Sequence, residues 1–277
     1  MRSQKILKVC ALALCALLTI GHASAEYSIA VDDLSLAEGL PNSVQTIALF
    51  LTDSATSTDV QTILLASIDR ESGRACMTDL RTDILAQISQ VGMIPLAKTY
   101  ALGGPSLMMK SLNELLEMNV SNYVTLDVSS FVQIAESVGG MQMTLSADEA
   151  AALQCEEGLQ TLDGEQTMAY MRLPDAMDTG RSHQYKAVMQ LLYQGTRDKN
   201  PFALMSLARK LTSTMTTNMG LLDMISLATT VMNGSDREEY MLPTTTPLSE
   251  AEYEGMAVYQ GDWDAISSEL HAFLFLE

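Results

Sequence analysis

Two apolar runs of strand length fix what this chain can fold into. Residues 45–51 read Q-T-I-A-L-F-L and end at Thr52-Asp53, and residues 60–68 follow Asp59 as V-Q-T-I-L-L-A-S-I. Runs this long, rich in Ile, Leu and Thr and bounded by Asp, Ser and Thr, predict β-strands. Arg70–Gly73 supplies a turn, and residues 74–81 return as a third strand to make a hairpin. Connectivity alone then places three charged residues. Asp53 and Asp59 flank a short loop between two strands, and Arg81, at the far end of the third, comes back to that same end of the sheet.

Helical and strand signals alternate along the rest. The block Lys98–Gly104 reads K-T-Y-A-L-G-G, and from Pro105 to Met118 a Leu/Met periodicity predicts an amphipathic helix with Pro in its first turn. Residues 123–126 read as a strand, with Ser129 or Ser130 capping a helix through Val138. Gly139-Gly140 stops that helix before a strand at Met141–Leu145. Residues 147–155, 182–197, 202–214 and 219–232 read as helices, and a strand at Ala257–Tyr259 leads to a closing helix, Trp263–Phe275. Strands interspersed with helices predict the α/β class: one domain, a central mixed β-sheet covered by helices in an α/β/α arrangement. The domain spans residues 44–277, and the acidic residues 26–43 form a lead-in segment.

The stretch Leu162 to Gln184, L-D-G-E-Q-T-M-A-Y-M-R-L-P-D-A-M-D-T-G-R-S-H-Q, sets Arg172 and Arg181 on either side of a helix break. Asp163 is the predicted N-cap, Glu165 suits the positive end of the dipole, and Met168 and Met171 share a face. Pro174 disfavours helix at Leu173, so the helix ends near Arg172, and a second opens around Arg181 after turn chemistry. Two guanidinium forks at facing helix ends can converge on one anion. The alternative is that each arginine pairs with a neighbouring carboxylate, Asp175 or Asp178.

The chain starts M-R-S-Q-K-I-L-K, runs through apolar Val9–Ile20, and reaches Ala23-Ser24-Ala25. That pattern predicts a secretory signal over residues 1–25, with an uncleaved membrane anchor as the alternative. An apolar run that short falls below the length needed to span the ~30 Å hydrocarbon core. The expected location is therefore outside the cytoplasm. Without Arg2, Lys5 and Lys8, 13 basic residues face 34 acidic ones, a net charge of −21. Such a surface repels nucleic acid, so any anion site must be a local concentration of arginine. Cys76 and Cys155 could form one disulfide or remain two thiols. His183 and His271 lie far apart in sequence, which argues against a zinc site or a histidine triad. The 19 methionines read as core filler in a chain with only 5% aromatics. A lipid-accommodating groove lined by Met108, Met109, Met168 and Met171 is the alternative.

Several segments keep their order and spacing: I-L-L-A-S-I-D (63–69), L-R-T-D (80–83), Y-A-L-G-G-P (100–105), N-Y-V-T-L-D-V-S-S-F-V-Q-I-A-E-S-V-G-G (122–140), L-D-G-E-Q-T-M-A-Y-M-R (162–172) and Gly180-Arg181. Together they resemble the LytR-CpsA-Psr family of cell-envelope proteins. The resemblance implies an extracytoplasmic phosphotransferase that moves a glycopolymer from an undecaprenyl-pyrophosphate carrier to peptidoglycan. Its implied partners are a polyprenyl-pyrophosphate-linked glycan, peptidoglycan and, through the lipid carrier, the membrane surface. Carried over by position, Asp53 and Asp59 would hold Mg2+, and Arg81, Arg172 and Arg181 would bind the pyrophosphate. Asp53 and Arg81 would also be catalytic, Asp53 as the base toward a sugar hydroxyl. Ala55, Pro174 and Gln184 stand where the family pattern has arginines, and Thr82 where it has a carboxylate. At ~1.5 to 3 kcal/mol per charge-assisted hydrogen bond, three such losses weigh heavily on affinity and rate. They support a second expectation: a relative that binds a lipid-linked or phosphorylated envelope glycan, or a partner protein, without turnover.

Overall fold

The predicted hairpin forms the middle of a six-stranded sheet. A computed structural model describes residues 29–53, 58–137, 139–173, 183–197, 215–233 and 237–275. In chain order the strands are β1 (Val44–Thr52), β2 (Val60–Asp69), β3 (Ala75–Leu80), the hairpin β4 (Leu85–Ile88) and β5 (Gly92–Pro95), and β6 (Asn122–Asp127). Then come β7 (Met141–Leu145), β8 (Gly158–Leu162), β9 (Met215–Thr217), β10 (Arg237–Leu242), β11 (Ser249–Tyr253) and β12 (Met256–Gln260). The helices are α1 (Thr99–Leu116), α2 (Val128–Ser137), α3 (Ala147–Leu153), α4 (Gly164–Met171), α5 (His183–Arg197), α6 (Leu221–Asn233) and α7 (Trp263–Phe275).

The sheet order is β10-β3-β2-β1-β6-β9. β1 runs antiparallel to β2 and parallel to β6, β3 antiparallel to β2, and β10 parallel to β3. The sheet is therefore mixed, as expected. The carboxyl ends of β1, β3, β6 and β10 and the start of β2 all lie at one end of it. That end carries the site.

Alternation along the central strands explains why they are apolar throughout: each must bury both faces. Ala48, Phe50, Ile63 and Leu65 point into a cluster shared with α1, α7 and the β4–β5 hairpin. Leu51 and Leu64 point the other way, into a cluster built with α2, α4, α5 and the β7–β8 hairpin. A small third cluster, Ile47, Ile68 and Leu227, sits under α6. Each fully buried Ile or Leu contributes about 1.5 to 3 kcal/mol.

This division corrects one expectation. Met108 and Met109 belong to the first cluster and Met168 and Met171 to the second, so the four do not line one groove. Cys76 is likewise in the first and Cys155 against the second; both are free thiols, separated by the sheet.

Local chemistry moves some boundaries. The third strand closes at Leu80, which leaves Arg81 just beyond it. α1 begins at Thr99, six residues before the predicted start, because Gly104 (φ 64°) absorbs a kink ahead of Pro105. The cap of α2 is Asp127, whose Oδ1 accepts from the Ser129 N–H (2.9 Å) and hydroxyl (2.6 Å), in place of the predicted serine. Gly140 (φ 94°) turns the chain into β7, where a Cβ would lie 2.8 Å from the Leu162 carbonyl oxygen. β4, β5, β8, β9, β10 and β11 were not foreseen. The predicted signal, residues 1–25, and the predicted helix at 202–214 lie outside the described residues.

The lead-in is tied to the domain. The Ile29 N–H donates to the Leu102 carbonyl (3.0 Å) and the Ala37 N–H to that of Met118 (2.9 Å). Asn113 Nδ2 donates to the Leu34 carbonyl (2.8 Å), and Ile29, Val31, Leu34 and Leu40 cover the first core cluster.

Candidate functional site

Asp53 is the first residue past β1 and is 4% exposed, so its carboxylate needs a partner. That partner comes from α4. Asp163 caps this helix as predicted and makes a full capping box with Gln166, and Glu165 lies in the first turn. With the start fixed, buried Tyr170 and Met171 set the rotation of the last turn, and Arg172 takes the C-cap position. Its Nε donates to Asp53 Oδ2 (2.7 Å) and its Nη2 to Oδ1 (2.8 Å). This is a bidentate pair spanning 119 residues; the local partners Asp175 and Asp178 lie outside the described residues. The Asp53 hydrogen bond, with Asp127 adding its field, holds the Arg172 pKa above its ordinary value. Asp127 ends β6 directly opposite Thr52.

Arg81 lies at the same end of the sheet, two strands from β1, or roughly 10 Å at ~4.8 Å per strand. Its Nε and Nη2 donate to Asp83 Oδ1 (2.6 Å) and Oδ2 (2.9 Å), and its guanidinium carbon sits 4.0 Å over the Tyr259 ring. The hydrogen bond to Asp83 raises its pKa. Asp59 also lies at this end. Lys98 Nζ is 3.9 Å from its Oδ2 and 6.0 Å from the Tyr253 ring.

Backbone hydrogen bonds lace these segments together. The Arg81 N–H donates to the Leu242 carbonyl (3.0 Å), Ala97 to Thr82 (2.9 Å), and Tyr259 to Asp83 (3.0 Å). The structure thus gathers Asp53, Asp59, Arg81 and Arg172 at one end of the sheet and bonds two of them directly. Arg181 lies outside the described residues. Nearby, His183 opens α5 with Nε2 3.0 Å from Glu149 Oε1 and its ring edge-on to Tyr170.

Sequence reasoning missed the site roles of Tyr253, Tyr259 and Asp127. Tyr253 sits on a polar strand without a strand signature, and Tyr259 on the predicted strand whose hairpin partner the sequence does not announce. Asp127 is legible only through the parallel register that sets it beside Thr52.

Among the described residues no three His, Cys, Asp or Glu side chains gather into a metal site. The two carboxylates that the resemblance assigns to Mg2+, Asp53 and Asp59, are of the ligand type that holds this ion, one or two at a time with phosphate and water completing the shell. As folded, those carboxylates face Arg172 and Lys98.

The LytR_cpsA_psr family model matches residues 25–272. The chain belongs to the LytR_cpsA_psr family. Among relatives, Biofilm regulatory protein A of Streptococcus mutans is 26% identical over 179 residues, 57% of this chain and 43% of its own length. The polyisoprenyl-teichoic acid–peptidoglycan teichoic acid transferase TagU of Oceanobacillus iheyensis is 24% identical over 139 residues, 47% of this chain and 43% of its own. The chain thus matches less than half the length of these curated relatives. A solved structure of the LytR-CPS2A-psr family protein YwtF (TagT), with bound octaprenyl pyrophosphate lipid, superposes with a TM-score of 0.66 at 18% identity. That superposition covers 90% of this chain and 95% of that one, and it carries the fold. Among the described residues, no helix is long and apolar enough to cross a membrane.

Proposed function

We propose that this member of the family acts outside the cytoplasm on a polyprenyl-diphosphate-linked glycan and transfers the glycopolymer to peptidoglycan. The observation that carries the reading is the Arg172–Asp53 fork at the end of β1, with Arg81 two strands away at the same end. Phosphoryl transfer asks a protein mainly to position groups and neutralise charge. Arg172 offers a preorganised bidentate fork, which exchanges the Asp53 carboxylate for phosphate oxygens. Release of Asp53 from that fork frees a carboxylate, which can accept the proton of an incoming sugar hydroxyl as its oxygen bonds to the glycan-bearing phosphorus and the P–O bond to polyprenyl monophosphate breaks. Arg81 keeps its charge whatever Asp83 does and supplies a second cation. Mg2+ belongs to the proposal with Asp53 and Asp59 as its protein ligands, and it would supply charge neutralisation on the non-bridging oxygens. The TagU name and the lipid in the TagT structure support the substrate class.

A second reading, binding without turnover, is favoured by two observations. Asp53 is buried with both oxygens held by Arg172, and the pattern arginines at Ala55, Pro174 and Gln184 are missing. Incubating the purified chain with a polyprenyl-diphosphate glycan, Mg2+ and peptidoglycan separates the two. Linked polymer on the wall material supports transfer. Saturable lipid binding that Arg172→Ala weakens, with no linked product beside a working control enzyme, supports binding alone. Absence of both removes the proposal.

A further inference from the structure

Arg172 is aimed by the last turn of α4, so whatever fixes that turn fixes the fork. The Arg172 N–H donates to the Ala169 carbonyl (3.2 Å) and the Leu173 N–H to that of Tyr170 (3.1 Å), which locks the C-cap to the turn that carries Tyr170. Tyr170 is buried, and its ring stands edge-on to that of His183 with the centroids 5.0 Å apart. Burial, then the charge of Glu149 and a hydrogen bond to it, push the Tyr170 hydroxyl pKa up.

Glu149 thereby joins three helices. It completes the capping box of α3, its Oε2 accepting from the Ser146 N–H (2.8 Å). Its Oε1 faces α5, 3.0 Å from His183 Nε2 and 3.5 Å from Lys186 Nζ. Burial alone would raise the Glu149 pKa; the Ser146 bonds, then Lys186 and His183, bring it below its ordinary value. The carboxylate is therefore ionised, and the ring donates to it through Nε2. The other ring nitrogen, Nδ1, is buried and has no partner among the described residues. A bare ring nitrogen costs stability that an apolar side chain of similar size would not, so packing alone is a poor account of His183. Hydrogen bonds do what apolar contact cannot: they fix direction.

We infer that His183 and Glu149 are positioning residues for Arg172: through Tyr170 they hold the rotation of α4 at which the guanidinium meets Asp53 and, in the proposed function, the diphosphate. The diphosphate arm of the test rests on that reading; the arm that reads the fork itself does not. In a proton–nitrogen correlation spectrum of the full chain, the Arg172 Nε–H is assigned by its absence from Arg172→Lys. It should exchange slowly with water, because it is bonded to a buried carboxylate. His183→Leu is expected to abolish that protection and to weaken binding of a short-chain polyprenyl diphosphate about 10-fold. His183→Gln, which keeps an N–H near the place of Nε2, should restore both. Glu149→Met leaves the ring and removes its acceptor; it should repeat the His183→Leu result and decides the matter if His183→Leu does not fold. A lower melting temperature with the Arg172 signal and the affinity unchanged would make the pair a packing device and overturn the positioning role. So would a failure of both variants to fold, equal losses in His183→Gln and His183→Leu, or an Arg172 Nε–H that is unprotected in the wild type. Should the wild type bind no diphosphate, the proposed function falls and the Arg172 signal decides alone: protection lost in His183→Leu and regained in His183→Gln upholds the role, and protection unchanged overturns it.

Discussion

Arg172 does for Asp53 what solvent cannot. The carboxylate is buried, while the arginine side chain is 40% exposed, so the pair sits between the screened and the desolvated regimes. Arg172→Ala is expected to destabilise the chain by about 1 to 2 kcal/mol, because it takes a bidentate fork away from a buried carboxylate. Arg172→Lys should recover only part of that, since an ammonium cannot supply the fork. Urea midpoints of the three proteins check this, and an unchanged midpoint for Arg172→Ala would show that the fork adds nothing to stability. The thiols give a second prediction at this scale. Burial, first of all, pushes the Cys76 thiol up to about 11, whereas Cys155 is half-exposed. A maleimide at neutral pH is expected to label Cys155 in the folded protein and to reach Cys76 only after unfolding. Simultaneous labelling would place Cys76 nearer the surface than its strand position allows.

At the scale of elements, one carboxylate holds α7 to the loop after β10. Glu269 accepts from the Tyr240 hydroxyl (2.7 Å), from the Thr244, Thr245 and Thr246 N–H groups (2.6, 3.1 and 2.8 Å) and from the Thr246 hydroxyl (2.8 Å). Burial alone would raise its pKa; these donors outweigh burial and bring it from 4.5 to about 2. A depressed carboxylate stabilises the fold above its unfolded value and loses that stabilisation as pH falls. The contribution should be complete above about pH 4.5 and should fade toward pH 2. Glu269→Gln is expected to be less stable than wild type at pH 7, with the gap closing across that window in thermal melts. A gap independent of pH would reduce Glu269 to a packing group.

What the sequence could disclose follows the same division. β1, β2, β7 and α7 announce themselves through long apolar runs or strict periodicity. β10 reads R-E-E-Y-M-L, and β11 reads S-E-A-E-Y. One is an acidic edge strand and the other half of a two-stranded hairpin, so neither carries the apolar alternation that marks a half-buried strand. The site was legible as a place, because connectivity sends Asp53, Asp59 and Arg81 to one end of the sheet. It was not legible as a set of bonds. The Arg172–Asp53 fork depends on how α4 rotates against β1, which tertiary packing of Tyr170 and Met171 decides.

For the whole molecule, charge governs approach. The sequence carries 34 acidic against 16 basic residues, so an anionic headgroup meets repulsion until it is within reach of the arginines. Its association rate is therefore expected to rise as ionic strength goes from roughly 10 to 150 mM and the Debye length shrinks from ~30 to ~8 Å. Stopped-flow measurements with a polyprenyl diphosphate check the sign, and a rate that falls with salt would mean that the local cations dominate at long range. The same architecture sets how the molecule bears tension. β1 is clasped between β2 and β6, and the preceding chain is stitched to α1 and its end through Leu102, Asn113 and Met118 before it reaches that strand. A tug on the amino-terminal side of Ile29 is thus spent peeling the strap, and the sheet that carries Asp53 is shielded from the load.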